Sequence, residues 1–255
     1  MFGKVLGANY KKKSKARRAI SVHTMRLMLE FGWNTAHAYG LWGRIRWTFL
    51  NLGMLRVGGL NQLIIIYTVE TTADGGQTVV YDGDSDVQVL RDETMNALYI
   101  DINVDVDKNV NSSNRRRACI PDYVLALNSR PVADLEAYIL RVRPPSGGPL
   151  FARPTKKGFA KPGNASADIK RAFKQTCALS GLAFDKSLFD ALGTHSGRKS
   201  LAQWLWDDGH CRRIIADAGG WFLKRDAVDM YFKTARHIIL TAVKNVGRVL
   251  AAKYD

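Results

Sequence analysis

The sequence predicts an α+β fold that is mainly helical and carries a small antiparallel β-sheet. Apolar residues recur at helical intervals near the N-terminus and through most of the chain after Asp122. Between these regions, Ala97–Val106 alternates apolar and polar side chains, as a half-buried strand does. Turn residues such as Gly75-Gly76 and Asp82-Gly83 separate further short apolar runs, which favours antiparallel pairing of neighbouring strands.

Two helices are expected at the N-terminal end of the fold. Ser21 is suited to cap a helix that begins near Val22, because its hydroxyl can accept a first-turn amide, and Gly32 is suited to end it. A second helix, rich in aromatic residues, is expected from residue 34 or 35 to about Leu52. The helical pattern then breaks at three glycines: Gly53, Gly58 and Gly59.

The middle of the chain is predicted to form strands, which are the runs Leu63–Val69, Thr78–Tyr81, Val87–Leu90 and Ala97–Val106. The polar, asparagine-rich segment Lys108–Asn114 is typical of a turn. Arg115–Ile120 is the expected return strand, stopped by Pro121. We therefore expect a small antiparallel sheet with a hairpin tip near Lys108.

The rest of the chain is predicted to be mostly helical. Clear interruptions are the proline-rich segment Pro144–Pro149, the basic loop Lys156–Asn164 and the turn Asp208-Gly209. The candidate helices are Val124–Val142, Ala165–Ser180, Lys186–Leu192, a helix after His195–Arg198, Arg212–Ala218, Asp226–Tyr231 and Ile238–Leu250.

Charge is unevenly distributed along the chain. The formal net charge is +15 and the sequence pI is about 9.9, which favours a polyanionic partner, although solubility alone also explains a basic surface. Residues 1–60 hold eleven Lys/Arg against one acid, and residues 61–110 hold two against ten. An acidic band therefore lies between two basic blocks.

Composition also excludes several classes of protein. The three cysteines are widely spaced, so neither a disulfide framework nor a cysteine zinc site is expected. No apolar run approaches the roughly 18–20 residues of a membrane span, and no hydrophobic signal core stands at the N-terminus. We expect an intracellular protein, in the cytoplasm of a prokaryote or host cell or in a eukaryotic nucleus.

Residues 1–19 are expected to be a basic arm or linker. Its cations can act as a nuclear-import signal, as a phosphate-binding arm, or as a solvated leader. They are Lys11, Lys12, Lys13, Lys15, Arg17 and Arg18.

One set of residues has intervals that suit cleavage of a DNA backbone. His195 and Arg198 stand three residues apart, Trp221 follows 23 residues later, and Tyr231 follows ten residues after that. Arg56 lies far upstream, in Leu52–Arg56. Two guanidiniums can neutralise and hold a phosphodiester, a histidine can move protons, and a tyrosine oxygen can attack phosphorus.

In this order the residues resemble the catalytic domain of tyrosine recombinases, the phage-integrase-like family, over roughly residues 20–250. Ala218–Trp221 is similar to the family's Leu-Gly-His turn with tryptophan in the last place. Arg117–Pro121 is similar to the strand that follows the family's lysine hairpin. The resemblance implies the tyrosine-recombinase catalytic-domain fold over residues 20–255. The family's separate DNA-clamping domain is expected to be absent from residues 1–255, because the chain is either a fragment or a minimal, single-domain member.

The resemblance also implies a role for each residue. Tyr231 attacks the scissile phosphate, and Arg56 and Arg198 hold its non-bridging oxygens. His195 accepts a proton, and the indole of Trp221 donates to a phosphate oxygen. No metal and no cofactor are required. Lys108 is the one lysine between Arg56 and Lys156, so it is assigned the proton that the leaving 5′-oxygen needs.

Further basic residues are expected to contact DNA. These are Arg115, Arg116 and Arg117 near the hairpin and Lys199 beside Arg198. One position departs from the family: Gly59 stands where a carboxylate usually follows the first arginine, which indicates a divergent member or a shifted alignment at Arg56. Tyr254 is a rival nucleophile without matching context.

The expected partner is double-stranded DNA, bound by a homo-oligomer, in the family a tetramer, joined through the C-terminal helix. That helix has a second explanation, since it can simply cover the core. The resemblance implies a site-specific DNA recombinase or integrase, viral, plasmid or mobile-element, that cleaves and rejoins DNA through a 3′-phosphotyrosyl intermediate without metal or ATP. The alternatives are a type IB topoisomerase, a telomere resolvase, or a regulator that binds DNA without catalysis. The last would use Ser200–Ala218 as a helix-turn-helix.

Overall fold

The computed structural model describes residues 18–104, 116–219 and 242–244. This part of the chain is a mixed α+β structure with small antiparallel sheets, which confirms the predicted fold class at that level. The helices are α1 (Val22–Phe31), α2 (Ala38–Leu52), α3 (Val57–Leu60), α4 (Pro131–Val142), α5 (Ala165–Ser180), α6 (Lys186–Ala191), α7 (Thr194–Asp207) and α8 (Arg212–Gly219).

In the described residues, four small antiparallel sheets stand in place of the single predicted sheet. The largest has the order β4-β5-β6, and the other pairs are β1-β7, β2-β3 and β8-β9. The strands are β1 (Ile64–Ile65), β2 (Tyr67–Thr71), β3 (Gln77–Tyr81), β4 (Val87–Arg91), β5 (Ala97–Val104), β6 (Arg116–Pro121), β7 (Gly148–Pro149), β8 (Arg153–Thr155) and β9 (Gly158–Ala160). Strands β5 and β6 pair as predicted, with Val104 opposite Arg116, and residue 108 falls in the stretch between them.

The centre of the core is α2. Its buried side chains include Trp42, Ile45 and Phe49, and the helix packs against both α4 and α7. The indole of Trp42 donates a 3.0 Å hydrogen bond to the carbonyl of Phe151, which satisfies its polar edge inside the core. As a result, α2 contacts elements from the middle and from the end of the chain.

Local signals placed several helices correctly. The hydroxyl of Ser21 accepts the amide of Thr24 at 3.0 Å, and Gly32 follows the last residue of α1. Ala165–Ser180 is one helix, as predicted, and begins after Asn164, whose side chain accepts two first-turn amides. The turn at Asp208-Gly209 ends α7 as expected.

Two helix boundaries differ from the prediction. Helix α2 begins at Ala38, because the side chain of Asn34 accepts the amide of Ala36 at 3.1 Å and forms a turn instead of a cap. The predicted helix Val124–Val142 is divided, since α4 begins at Pro131 and only Leu125–Leu127 before it forms a short 3₁₀ turn. Proline lacks the amide that a continuous helix would need.

Two predicted breaks contain regular structure. Gly58 and Gly59 lie inside the short helix α3, where the carbonyl of Arg56 accepts the amide of Leu60 at 2.9 Å. The predicted loop Lys156–Asn164 contributes to a β-hairpin made by β8 and β9. Gly158, with φ of +111°, allows the tight connection between these strands.

A buried ion pair joins α2 to α5. Nη1 of Arg46 lies 3.6 Å from Oδ2 of Asp168, and both side chains are buried. The hydroxyl of Tyr39 donates to Asp168 Oδ1 at 2.6 Å, and Arg46 Nη2 donates to Asn61 Oδ1 at 3.0 Å. Burial lowers the pKa of Arg46, although the charge of Asp168 opposes this effect.

Candidate functional site

The first turn of α7 is pressed against α2. A Cβ atom at Gly197 would lie 3.0 Å from the carbonyl oxygen of Leu50 and 3.1 Å from the Cα of Asn51. These atoms belong to the backbone of α2, which cannot give way as a flexible side chain can. Glycine at 197 therefore lets α7 approach the C-terminal end of α2 closely.

Arg198 follows this contact and is buried, with 3% of its surface exposed. Its Nη2 donates a 2.7 Å hydrogen bond to the carbonyl oxygen of Gly219, the last residue of α8. Charge-assisted bonds of this kind are stronger than those between neutral groups. The guanidinium thus ties the first turn of α7 to the end of α8, two residues before Trp221.

His195 and Lys199 lie one helical turn apart and both are exposed. They form the outer face of the turn whose inner face holds Gly197 and Arg198. The turn itself is held by Ser196, whose hydroxyl accepts the amide of Gly193 at 3.1 Å. The same four-residue stretch therefore presents an imidazole to solvent and a guanidinium to the interior.

Arg56 lies beyond the end of α2 that touches Gly197. It precedes α3, and its side chain is partly buried. Five residues separate it from Asn51, so their Cα atoms are at most about 18 Å apart. The predicted first arginine and the His195–Arg198 turn therefore share one end of α2.

A small pocket lies between the end of α2, β6 and α8. Gly53 lines it at the end of α2, Cys119 lines it on β6, and Asp217 lines it on α8. The remaining lining residues are Leu52, Ala118, Ala218 and Val243. Val243 and its neighbour Ala242 are 1% and 2% exposed, so this part of the predicted C-terminal helix is packed into the core of its own chain.

The N-terminal segment is attached to the same helix, α7. The amide of Ile20 donates to the hydroxyl of Ser200 at 2.8 Å, and the indole of Trp204 donates to the carbonyl of Ile20 at 2.8 Å. Arg18, the described member of the predicted arm, donates to Ser187 Oγ at 2.9 Å and lies 3.9 Å from Asp185. Arg18, the first described residue, therefore lies beside α6, and Ile20 lies beside α7.

Several predicted residues lie outside the described part of the chain. Among the catalytic candidates these are Lys108, Trp221 and Tyr231, and among the DNA-binding candidates Lys11, Lys12, Lys13, Lys15, Arg17 and Arg115. Arg116 and Arg117 lie on β6, where Arg117 is opposite Asn103. Of the predicted site, the structure describes the side chains of five residues: Arg18, Arg56, His195, Arg198 and Lys199.

Sequence reasoning missed three residues that hold this region together. In the sequence, Gly197 lies within the His195–Arg198 motif, Gly219 within the Ala218–Trp221 turn, and Ser200 within a predicted helix, and none of them has a predicted packing role. A glycine directly before a buried arginine is a weak signal of close helix packing. No local signal pairs Arg198 with Gly219, because 21 residues separate them.

The described residues contain no group of three or more His, Cys, Asp or Glu side chains placed to hold a metal ion. Within the same ranges, every helix is too short or too polar to cross a membrane. No protein-family model matches this chain, and no curated protein is significantly similar to it.

Proposed function

We propose that this chain is a DNA strand transferase that cleaves and rejoins DNA through a 3′-phosphotyrosyl intermediate. The observation that carries the proposal is the position of Arg198. It adjoins the contact between Gly197 and α2, and it is hydrogen-bonded to Gly219. These contacts join the first turn of α7, which carries His195, to the end of α2 that precedes Arg56 and to Gly219, two residues before Trp221 in the sequence.

The phosphotyrosyl bond keeps the energy of the phosphodiester bond that is cleaved, so the reaction needs no external energy source. The Tyr231 oxygen forms a bond to phosphorus while the bond from phosphorus to the 5′-oxygen breaks. His195 takes the phenolic proton, and Lys108 gives a proton to the departing 5′-oxygen, which becomes the 5′-hydroxyl. Because tyrosine ordinarily has a pKa near 10, a nearby base and cationic groups are needed to ionise it at neutral pH.

Arg56 and Arg198 supply the positive charge that the pentacovalent transition state requires. A guanidinium has five N–H donors in a fixed fork, so it can hold a backbone carbonyl and phosphate oxygens together. Arg198 is 3% exposed, so phosphate reaches it only when neighbouring segments move. We therefore expect DNA binding to move the segments that cover Arg198 on α7.

The test is a nicked suicide duplex built from the DNA that flanks the coding sequence. After cleavage, the short fragment that carries the 5′-hydroxyl diffuses away and the covalent complex cannot religate. Wild-type protein should give a complex that survives denaturing electrophoresis, with EDTA present, and peptide mapping should find the adduct on Tyr231. Tyr231→Phe should bind the duplex with unchanged affinity and give no adduct.

Tyr254→Phe is the matched control, because it removes the other tyrosine near the C-terminus and should leave the adduct intact. An adduct that persists in Tyr231→Phe, or its absence with wild-type protein, contradicts the proposal. Relaxation of supercoiled plasmid without exchange would assign a type IB topoisomerase instead. Hairpin-ended products would assign a telomere resolvase.

A regulator without catalysis is the second candidate, and one feature favours it. Helices α7 and α8 are joined by the short turn 208–211, and α8 begins at the exposed Arg212, as in a helix-turn-helix. However, one face of α7 is committed to the core through Leu201 and Leu205. If the protein is a regulator without catalysis, its Tyr231→Phe variant should bind DNA and act normally. This outcome separates the two candidates.

A further inference from the structure

A second basic element lies outside the predicted site. It is the β8–β9 hairpin, residues 153–160, with Lys156 and Lys157 at its tip. The hydroxyl of Thr155 donates to the carbonyl of Gly158 at 3.0 Å and accepts the amide of Lys157 at 3.2 Å. These bonds close a tight turn, so the backbone holds the two lysines at adjacent exposed positions.

The tip lysines lack the acidic neighbours that several other described cations have. Within the described ranges, no carboxylate lies within 4.0 Å of the amino groups of Lys156, Lys157 or Lys161. The stretch from residue 137 to 167 holds six Lys/Arg and no acid. By contrast, ion pairs join Arg44 to Asp134, Arg91 to Glu136, Arg130 to Asp122, and Lys186 to Asp190.

The hairpin is attached to the same helix as the candidate site. Residues on both sides of it bind α2: the carbonyl of Phe151 accepts from Trp42 at 3.0 Å, and the carbonyl of Gly163 accepts from Arg46 at 3.3 Å. Leu50, which touches Gly197, is eight residues beyond Trp42, a rise of about 12 Å. Each three-residue strand adds about 10 Å.

We infer that the β8–β9 hairpin is a second DNA-contacting element, in which Lys156 and Lys157 bind backbone phosphates within one helical turn of the scissile phosphate. The rise along α2 and the length of one strand sum to about 22 Å, or about six base pairs at 3.4 Å per step, before the side chains that join these elements are counted. The position relative to cleavage rests on the proposed function; the phosphate contact itself does not.

The test compares two double variants of the full chain that remove equal charge. One is Lys156→Ala/Lys157→Ala at the hairpin tip. The other is Lys170→Ala/Lys174→Ala on α5, where both amino groups lie about 5 Å from the Phe189 ring, at 4.9 and 5.0 Å. Binding to a 30-base-pair duplex is measured by fluorescence anisotropy over a series of KCl concentrations.

Each phosphate contact contributes about 0.9 to the slope of log affinity against log salt. The hairpin variant should therefore lower the slope by about 1.8 and weaken binding, whereas the α5 variant should change the slope by less than about half that amount. Equal loss in both variants would indicate general charge attraction, and an unchanged slope in the hairpin variant would indicate no contact. Either result overturns the inference.

The outcomes also separate this inference from the proposed function. A covalent adduct with wild-type protein, together with an unchanged hairpin slope, would remove the hairpin contact and leave strand transfer intact. No adduct, together with a slope lowered by about 1.8, would leave a DNA-binding hairpin on a protein that does not cleave. Where the cleavage position is mapped, neutral methylphosphonates within one turn of it should weaken wild-type binding more than binding by the hairpin variant.

Discussion

Arg198 donates from Nη2 to the carbonyl oxygen of Gly219 across 2.7 Å, although 21 residues separate them in the chain. The bond places a guanidinium at the junction of α7 and α8 while its neighbour Gly197 contacts α2. One residue thus serves two purposes in the proposal, since it joins the helices and supplies charge to a phosphate. The two roles have different experimental signatures.

Arg198→Lys should separate these roles. Lysine keeps the positive charge but loses the planar fork, so the rate of adduct formation should fall about 10²–10³-fold, as for loss of a positioned transition-state donor. The loss of the bond to Gly219 should also lower the free energy of unfolding, by about 1–3 kcal/mol. Single-turnover adduct formation measures the first effect and urea denaturation the second.

Lys199→Ala is the control for stability, because this exposed neighbour lies on the same turn. It should change the free energy of unfolding by less than about 0.5 kcal/mol. If Arg198→Lys lowered stability and left the adduct rate unchanged, Arg198 would be structural alone.

Gly197→Ala should destabilise the protein by about 1–3 kcal/mol. The new methyl group meets the backbone of α2 at 3.0 and 3.1 Å, so α7 must shift, and overpacking of this kind is costly. Because Arg198 shifts with it, adduct formation should slow as well. Urea denaturation and single-turnover assays measure the two effects.

Gly58→Ala is the matched substitution in the short helix α3. A Cβ atom there meets nothing within 4 Å, and alanine favours a helix, so stability should be unchanged or rise by up to about 1 kcal/mol. Equal losses of stability from both substitutions would show that the contact between Gly197 and Leu50 does not explain the effect.

The buried pair of Arg46 and Asp168 should behave as a coupled unit. Arg46→Met leaves the carboxylate of Asp168 buried without its closest buried cation, which typically costs about 3–5 kcal/mol. Asp168→Asn should cost a similar amount, because Arg46 then keeps its charge in the interior. The double variant should lose less than the sum of the single losses, by at least about 1 kcal/mol, in a urea-denaturation cycle.

Strict additivity, within about 0.5 kcal/mol, would contradict that coupling. Arg44→Met is a useful comparison, since its partner Asp134 is 20% exposed as a side chain, against 9% for Asp168. Because Asp134 is less buried, Arg44→Met should lower the free energy of unfolding by less than Arg46→Met does.

Tyr81 should make the stability of the fold sensitive to alkaline pH. Burial, with a further contribution from Glu136, raises the pKa of Tyr81 above its ordinary value of 10. The folded state then keeps the phenolic proton at pH values where the unfolded chain loses it. Stability from this group is present below pH 10 and falls above it, by about 1.4 kcal/mol per pH unit.

Tyr81→Phe should abolish the part of the loss of stability above pH 10 that is due to this phenol. Among the described residues the Tyr81 hydroxyl has no hydrogen-bond partner, so the substitution should cost little at pH 7. Urea denaturation at pH 8 and pH 11 gives the difference, and Tyr123→Phe, at an exposed position, should leave it unchanged. A decline of equal size in Tyr81→Phe and wild-type protein would refute the assignment.

The amino-acid sequence alone determined the features that act over a few residues. The cap at Ser21, the helix Ala165–Ser180 and the turn at Asp208-Gly209 were predictable, because capping bonds and turn conformations involve near neighbours. Competing local bonds explain the failures, as at Asn34, where a turn displaced the start of α2. The roles of Tyr231, Trp221 and Lys108 stay predictions from their order and spacing.

Tertiary structure decided which distant residues meet. The contact of Gly197 with Leu50, the bond from Arg198 to Gly219 and the ion pair of Arg46 with Asp168 join residues that no periodicity connects. The division into four small sheets is likewise a result of packing on α2 and α4. The physical reason is that burial and close packing depend on all neighbouring elements at once, whereas helix caps and turns depend only on the adjacent chain.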